Sequence, residues 1–225
     1  AAAALKWYGT LDGEDFEDTT FQGIFALNRA KTKKEFLEGA ELIASVGQNI
    51  VYASAEGDTG WYATGRLPKR KGYSGRVPAD GSSGKCGWNG FYPPKQNPGL
   101  GNPESGYFVN ANNKSADGRI GRRVGYSWGA PYRHDRIEEL LKKIDRPGPA
   151  DFQSIQSDLY SKRAERIVPV LTGFSYTEPD AVLASGILES WDFILRADST
   201  AALIFHTFRN EFSKLLLSEL LGHYY

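Results

Sequence analysis

The sequence has no methionine, one cysteine (Cys86) and only three histidines in 225 residues. A single thiol excludes an intramolecular disulfide framework and any zinc site built from several cysteines. His134, His206 and His223 lie far apart and form no H-x-x-x-H pair, so each reads as a surface or helix-packing residue rather than a metal ligand. Neither sign of charge is in excess: Lys plus Arg is 27 and Asp plus Glu is 27, a formal net charge of zero. A dedicated nucleic-acid binder shows a basic surplus, so no nucleic-acid partner is expected. Local basic runs (Arg66 with Lys69, Arg70 and Lys71; Arg119 with Arg122 and Arg123) read as solvated loop. No apolar run approaches the ~20 residues that cross a bilayer, and no membrane partner is expected. The first residues lack the basic-then-apolar pattern of a signal peptide. The leading alanines and the absence of methionine suggest a mature or truncated piece of something longer. Familiar catalytic signatures are missing too. Gly84-Lys85-Cys86 has neither the spacing nor the hydroxyl of a phosphate-binding Walker loop, and no G-x-S-x-G elbow presents a serine nucleophile.

The sequence does contain a globular core. Hydrophobic residues are 40% and aromatics 13%, too apolar for a disordered chain. Gln48–Ala55 is β-branched and aromatic, a turn cluster Glu56–Gly60 follows, and Trp61–Gly65 then completes a β-hairpin pattern. Gly106–Ala111 reads as another strand. Between them, Lys69 to Pro103 is too rich in Gly, Pro and Ser for regular structure, and loops of that length are usually functional or mobile. Thr32 followed three residues later by Glu35 has the form of a capping box opening a helix. Beyond residue 133 the pattern turns helical. Ile137, Leu140, Leu141 and Ile144 fall on one stripe, Phe152, Ile155 and Leu159 continue in the next segment, and Arg146–Pro149 separates the two. Helices are also expected over Asp180–Leu195 and Ser199–Leu221. The expected class is α+β, with a β-rich section over 1–133 and a helical section over 134–225.

A complete catalytic set is absent, but one constellation can do chemistry. Asn112, expected at a strand end, could donate its amide to the oxyanion of a tetrahedral intermediate. Arg133, at the mouth of a helix after Trp128-Gly129-Ala130-Pro131-Tyr132, could steady the same charge. The residues alone leave open whether the Asn112-Asn113 pair is simply a turn former.

At these residues the sequence resembles the β-chain of penicillin acylases, the N-terminal-nucleophile hydrolases that include cephalosporin and acyl-homoserine-lactone acylases. Leu5-Lys6-Trp7, Asn28-Arg29-Ala30 and Glu35-Phe36 are similar to motifs early in the matching segment. Gln48–Ala53 with Glu56-Gly57 and Gly60 resembles the Q-N-x-V-Y-A…G hairpin, and Gly65-Arg66-Leu67-Pro68 the G-R-x-P. Trp88-Asn89-Gly90-Phe91, Asn102–Tyr107 and Asn110-Ala111-Asn112-Asn113 resemble W-x-G-F, N-P-x-x-G-Y and N-A-N-N. Pro131-Tyr132-Arg133 with Arg136-Ile137 and Glu139-Leu140-Leu141 is similar to P-Y-R-x-x-R-I-x-E-L-L. Gln156, Asp158, Tyr160 and Ser161 resemble Q-x-D-x-Y-S, and Trp191-Asp192 and Asp198-Ser199 the W-D and D-S.

The resemblance implies a portion of the four-layer α-β-β-α sandwich followed by a helical section. It also implies hydrolysis of linear amides, which would release an acyl side chain from a β-lactam nucleus, a homoserine lactone or a similar amine. In the family a precursor cuts itself, and the new N-terminal Ser or Cys of the β-chain attacks while its own α-amine acts as base. By resemblance Asn112 is the side-chain oxyanion donor and Arg133 the active-site arginine. The nucleophile lies upstream of the matching segment, so the expected partners are the remainder of the precursor (the α-chain and the N-terminal part of the β-chain) and a small-molecule amide. The family's calcium site takes an acidic residue where this chain reads Arg119-Ile120-Gly121-Arg122-Arg123, so no metal or other cofactor is expected. Family members are often exported, and the residues here do not name a compartment. The rival reading is a non-catalytic domain, a scaffold or binding module derived from the same family.

Overall fold

In the computed structural model, which describes residues 4–11 and 16–222, helices α1 (Thr20–Arg29) and α2 (Lys33–Leu42) form an antiparallel pair. The expected capping box starts α2: Thr32 Oγ1 accepts from Glu35 N–H at 3.2 Å, and Glu35 Oε2 accepts from Thr32 N–H at 3.3 Å. The two helices approach closely through glycines. A methyl group at Gly23 would meet Gly39 O and Ile43 N at 2.9 Å, so only hydrogen fits there. Thr20 then ties the helix ends, its Oγ1 accepting from Ala44 N–H and Ser45 N–H at 3.0 and 2.8 Å.

The expected hairpin is present as β1 (Asn49–Ala53) and β2 (Thr59–Ala63), antiparallel with Val51 opposite Trp61. Strands β3 (Pro68–Lys71) and β4 (Gly87–Phe91) form a separate two-stranded sheet, and β5 (Gly99–Gly101) pairs with the free edge of β2. Two expectations fail here. Lys69–Pro103 contains β4, β5 and a 3-10 turn at Pro94–Gln96. Gly106–Ala111, in contrast, is not a strand. The edge of β2 is already occupied by Leu100 opposite Trp61, so the apolar residues of 106–111 pack through their side chains instead. Phe108 stacks on the buried Trp61 ring at 5.2 Å and 13°. A short helix, α3 (Gly118–Val124), follows.

The chain divides into two compact units, Ala1–Gly129 and Ala130–Tyr225. The second contains α4 (Tyr132–Leu141), α5 (Pro149–Gln156), α6 (Lys162–Thr172), α7 (Pro179–Glu189) and α8 (Thr200–Leu221). Ile144 and Leu159 lie beyond the ends of α4 and α5, and α7 stops six residues short of Leu195. It stops because the chain after Trp191 reverses: Phe193 sits at φ 60°, and Ile194 pairs with Tyr160 in an antiparallel bridge. The core of this unit is Ala164, Val168, Leu188, Trp191, Ala201, Ala202 and Phe205. Ser161 and Ser199 cap α6 and α8 by accepting from Ala164 N–H and Ala202 N–H.

Candidate active-site elements

Asn112 belongs to the first unit and Arg133 to the second, and each is described within its own unit. Asn112 does not end a strand. It sits in a tight bend at φ 64°, a left-handed conformation that Asn tolerates better than most residues with a Cβ. Neighbouring asparagines fix the bend. Asn110 Oδ1 accepts from Asn112 N–H at 3.2 Å, and Asn113 Oδ1 accepts from Ala111 N–H at 3.0 Å. Gly129 closes it from the far side by donating its N–H to Asn112 O at 2.7 Å. A Cβ at Gly129 would lie 2.9 Å from that oxygen and 3.2 Å from the carbonyl carbon, so the approach requires glycine. The backbone under Asn112 is therefore held on both sides, as an oxyanion donor needs. The Asn110 amide nitrogen is buried and, among the described residues, has no acceptor.

Trp128, next to Gly129, lines a cleft of about 310 Å³ in the same unit. Gln48 and Thr64 also line it, and their backbone and side chain interlock: Thr64 N–H donates to Gln48 O at 2.8 Å, and Gln48 N–H to Thr64 Oγ1 at 2.9 Å. Gly65 continues at φ 97° against Gly47, where a side chain would strike backbone at 2.8 Å. Asn97 locks the turn, its buried amide donating to Ala63 O and Gly65 O at 3.0 and 2.8 Å. Among the described residues, the cleft wall includes Lys6, Arg66 and Arg70 and no acidic residue.

Arg133 is exposed in the first turn of α4. One turn later, Arg136 anchors that helix. Its Nε and Nη2 donate to both carboxylate oxygens of Asp158 at 2.9 and 2.8 Å, and its guanidinium lies 4.3 Å from the Tyr160 ring centroid. Hydrogen bonding from Arg136 holds Asp158 below the usual carboxylate range. Lys143 and Lys162 draw the Glu139 carboxyl down to about 2. Tyr160 O–H donates to Glu165 at 2.8 Å. The residues resembling R-I-x-E and D-x-Y-S thus form one ionic lattice that sets the attitude of the Arg133 helix. The motif strings by themselves give these residues no task; the spacing of Arg136 three residues after Arg133 is the available signal.

The penicillin amidase family model matches residues 1–225. The chain belongs to the penicillin amidase family. Among relatives, acyl-homoserine lactone acylase QuiP of Pseudomonas aeruginosa is 33% identical over 146 residues, covering 64% of this chain and 17% of that protein. The protein of the same name from Pseudomonas fluorescens is 27% identical over 219 residues, 92% of this chain and 27% of its own length. Penicillin G acylase of Escherichia coli is 36% identical over 100 residues, 44% of this chain and 12% of that one. Thermostable penicillin G acylase from Alcaligenes faecalis shares the fold at a TM-score of 0.63 and 24% identity, over 80% of this chain and 33% of that one. The chain spans between 12% and 27% of the length of these curated relatives. The mixed helices and sheets agree with the expected α+β class.

Proposed function

We propose that this chain is a segment of the β-chain of a penicillin-acylase-like amidohydrolase, and that its sheets form part of a four-layer α-β-β-α sandwich. The observation that carries the reading is the Asn112 bend, a left-handed asparagine clamped by Gly129 within a chain matched end to end by the family. In the proposed reaction a Ser or Cys nucleophile, supplied outside residues 1–225, attacks the amide carbonyl carbon and its proton passes to its own α-amine. Negative charge gathers on the carbonyl oxygen, where the Asn112 amide N–H donates. Collapse of the intermediate breaks the C–N bond and the amine leaves with a proton. Water then releases the acid from the acyl-enzyme. Arg133 favours the charged intermediate electrostatically. The partners are the α-chain and the preceding part of the β-chain, and the substrate is a linear amide, for which N-acyl homoserine lactones are the first choice given the names of the relatives. No metal ion is assigned to residues 119–123, where three guanidinium groups repel a cation.

The test is made on the complete processed protein. Asn112→Gly keeps the left-handed backbone and removes only the amide, whereas Asn112→Ala adds strain at φ 64°. For Asn112→Gly we expect kcat on acyl-homoserine lactones to fall roughly 100- to 1,000-fold with an almost unchanged thermal midpoint. KM should move far less, since the donor meets charge that develops in the transition state. An undiminished kcat in a folded Asn112→Gly protein refutes the assignment.

A further inference from the structure

The basic runs that read as solvated loop instead converge within the first unit. Arg70 on β3 and Arg119, Arg122 and Arg123 on α3 line one hollow of about 190 Å³, whose lining among the described residues includes no acidic residue. The helical spacing of 119, 122 and 123 places the last three on one face. Among the described residues, none of the four guanidinium groups has a carboxylate within 4.0 Å, whereas Arg136 and Arg196 both pair with carboxylates elsewhere. Like charges gathered in this way repel unless solvated or neutralised. Solvation alone does not describe the site, because Arg123 Nε is buried and has no acceptor among the described residues.

Two of the four groups are also held in place. Arg70 Nη1 donates to Arg123 O at 3.2 Å, and the Arg123 guanidinium stacks 4.0 Å from the Tyr92 ring centroid. Tyr73 Oη, on the same wall, accepts from Trp88 Nε1 at 2.8 Å, which leaves its hydroxyl proton to donate. Guanidinium forks beside a hydroxyl donor are the arrangement that recognises planar or tetrahedral oxyanions through paired hydrogen bonds. The volume suits a phosphate or a short polycarboxylate and falls below the ~300 Å³ at which drug-sized ligand sites begin. We infer that this hollow is a binding site for a small multivalent oxyanion.

Calorimetric titration of the complete processed protein with inorganic phosphate and, separately, with citrate tests this. At least one anion should bind saturably at one per chain and raise the thermal midpoint, with the phosphate and carboxylate arms identifying which chemistry is preferred. Arg119 and Arg122 are exposed, so Arg119→Gln/Arg122→Gln removes charge without opening a core. That variant should weaken binding roughly tenfold or more. Arg122→Lys, which keeps the charge and loses the fork, should fall between. Lys34→Gln, a distant exposed cation, should change nothing. The inference is overturned if neither anion binds with a Kd below about 1 mM. It is equally overturned if the double variant binds as tightly as the parent, or if Lys34→Gln weakens binding as much.

Discussion

Replacing Arg136 by alanine removes a bidentate polar anchor of the second unit. Two charge-assisted hydrogen bonds to Asp158, at 2.9 and 2.8 Å, are lost, together with the stacking on Tyr160. The side chains of the pair are 18% and 21% exposed, so water reaches the abandoned carboxylate only in part. Hydrogen bonds to charged groups contribute about 1.5–3 kcal/mol when well shielded, and the ring contact adds roughly 0.5–1 kcal/mol. Partial solvation of Asp158 offsets some of this, and a net loss of ~2–3 kcal/mol is expected. For a chain of this length that corresponds to a fall in Tm of about 4–12 °C. The assay is thermal unfolding of Arg136→Ala, Asp158→Asn and the double variant, compared as a cycle. A coupling energy of at least ~1 kcal/mol is expected between the two sites. The pH dependence has a definite sign. Asp158 titrates below its ordinary value in the folded chain, so its contribution is full above the unfolded pKa near ~4 and disappears as pH falls through the folded value. The gap between parent and Arg136→Ala should therefore narrow under acid conditions to the part that comes from the Tyr160 contact. A gap that is absent at neutral pH, or that persists undiminished at the acid limit, would refute the reasoning.

Gly23→Ala gains helix propensity of about 1 kcal/mol but forces a methyl group onto the backbone of Gly39 and Ile43, and overpacking of that kind typically costs 1–3 kcal/mol. A lower Tm is expected, and a raised one would show that α1 and α2 can separate freely. Thr32→Ala should cost ~1 kcal/mol by removing the α2 cap, readable as a shift in the urea midpoint at constant m-value. Phe108→Ala should cost more, ~3 kcal/mol, because the ring covers Trp61 where no strand does, and an effect within ±0.5 kcal/mol would contradict that packing.

Local chemistry made several features legible in the sequence. The Thr32/Glu35 box, the β1–β2 hairpin and the start of α8 at Ser199 depend on side chains a few residues apart, and all three are present. The motifs that marked Asn112 and Arg133 were legible for the same reason, as short strings of fixed spacing. What failed depended on partners distant in the chain. Gly106–Ala111 has the residues of a strand, but Leu100 already occupies the edge of β2, 39 residues after Trp61 in sequence and directly opposite it in space. Gly99 and Gly101 carry no strand propensity at all, and they form β5 because that edge needs hydrogen-bond partners. The left-handed bend at Asn112 follows from the approach of Gly129, seventeen residues away. Arg70 and Arg119 looked like two separate solvated runs, and only the packing of α3 beside β3 made them one hollow. Sequence determined which local structures were available. Tertiary structure decided which of them found a partner, because edge pairing, close backbone approach and charge convergence are set by distances between segments that composition does not encode.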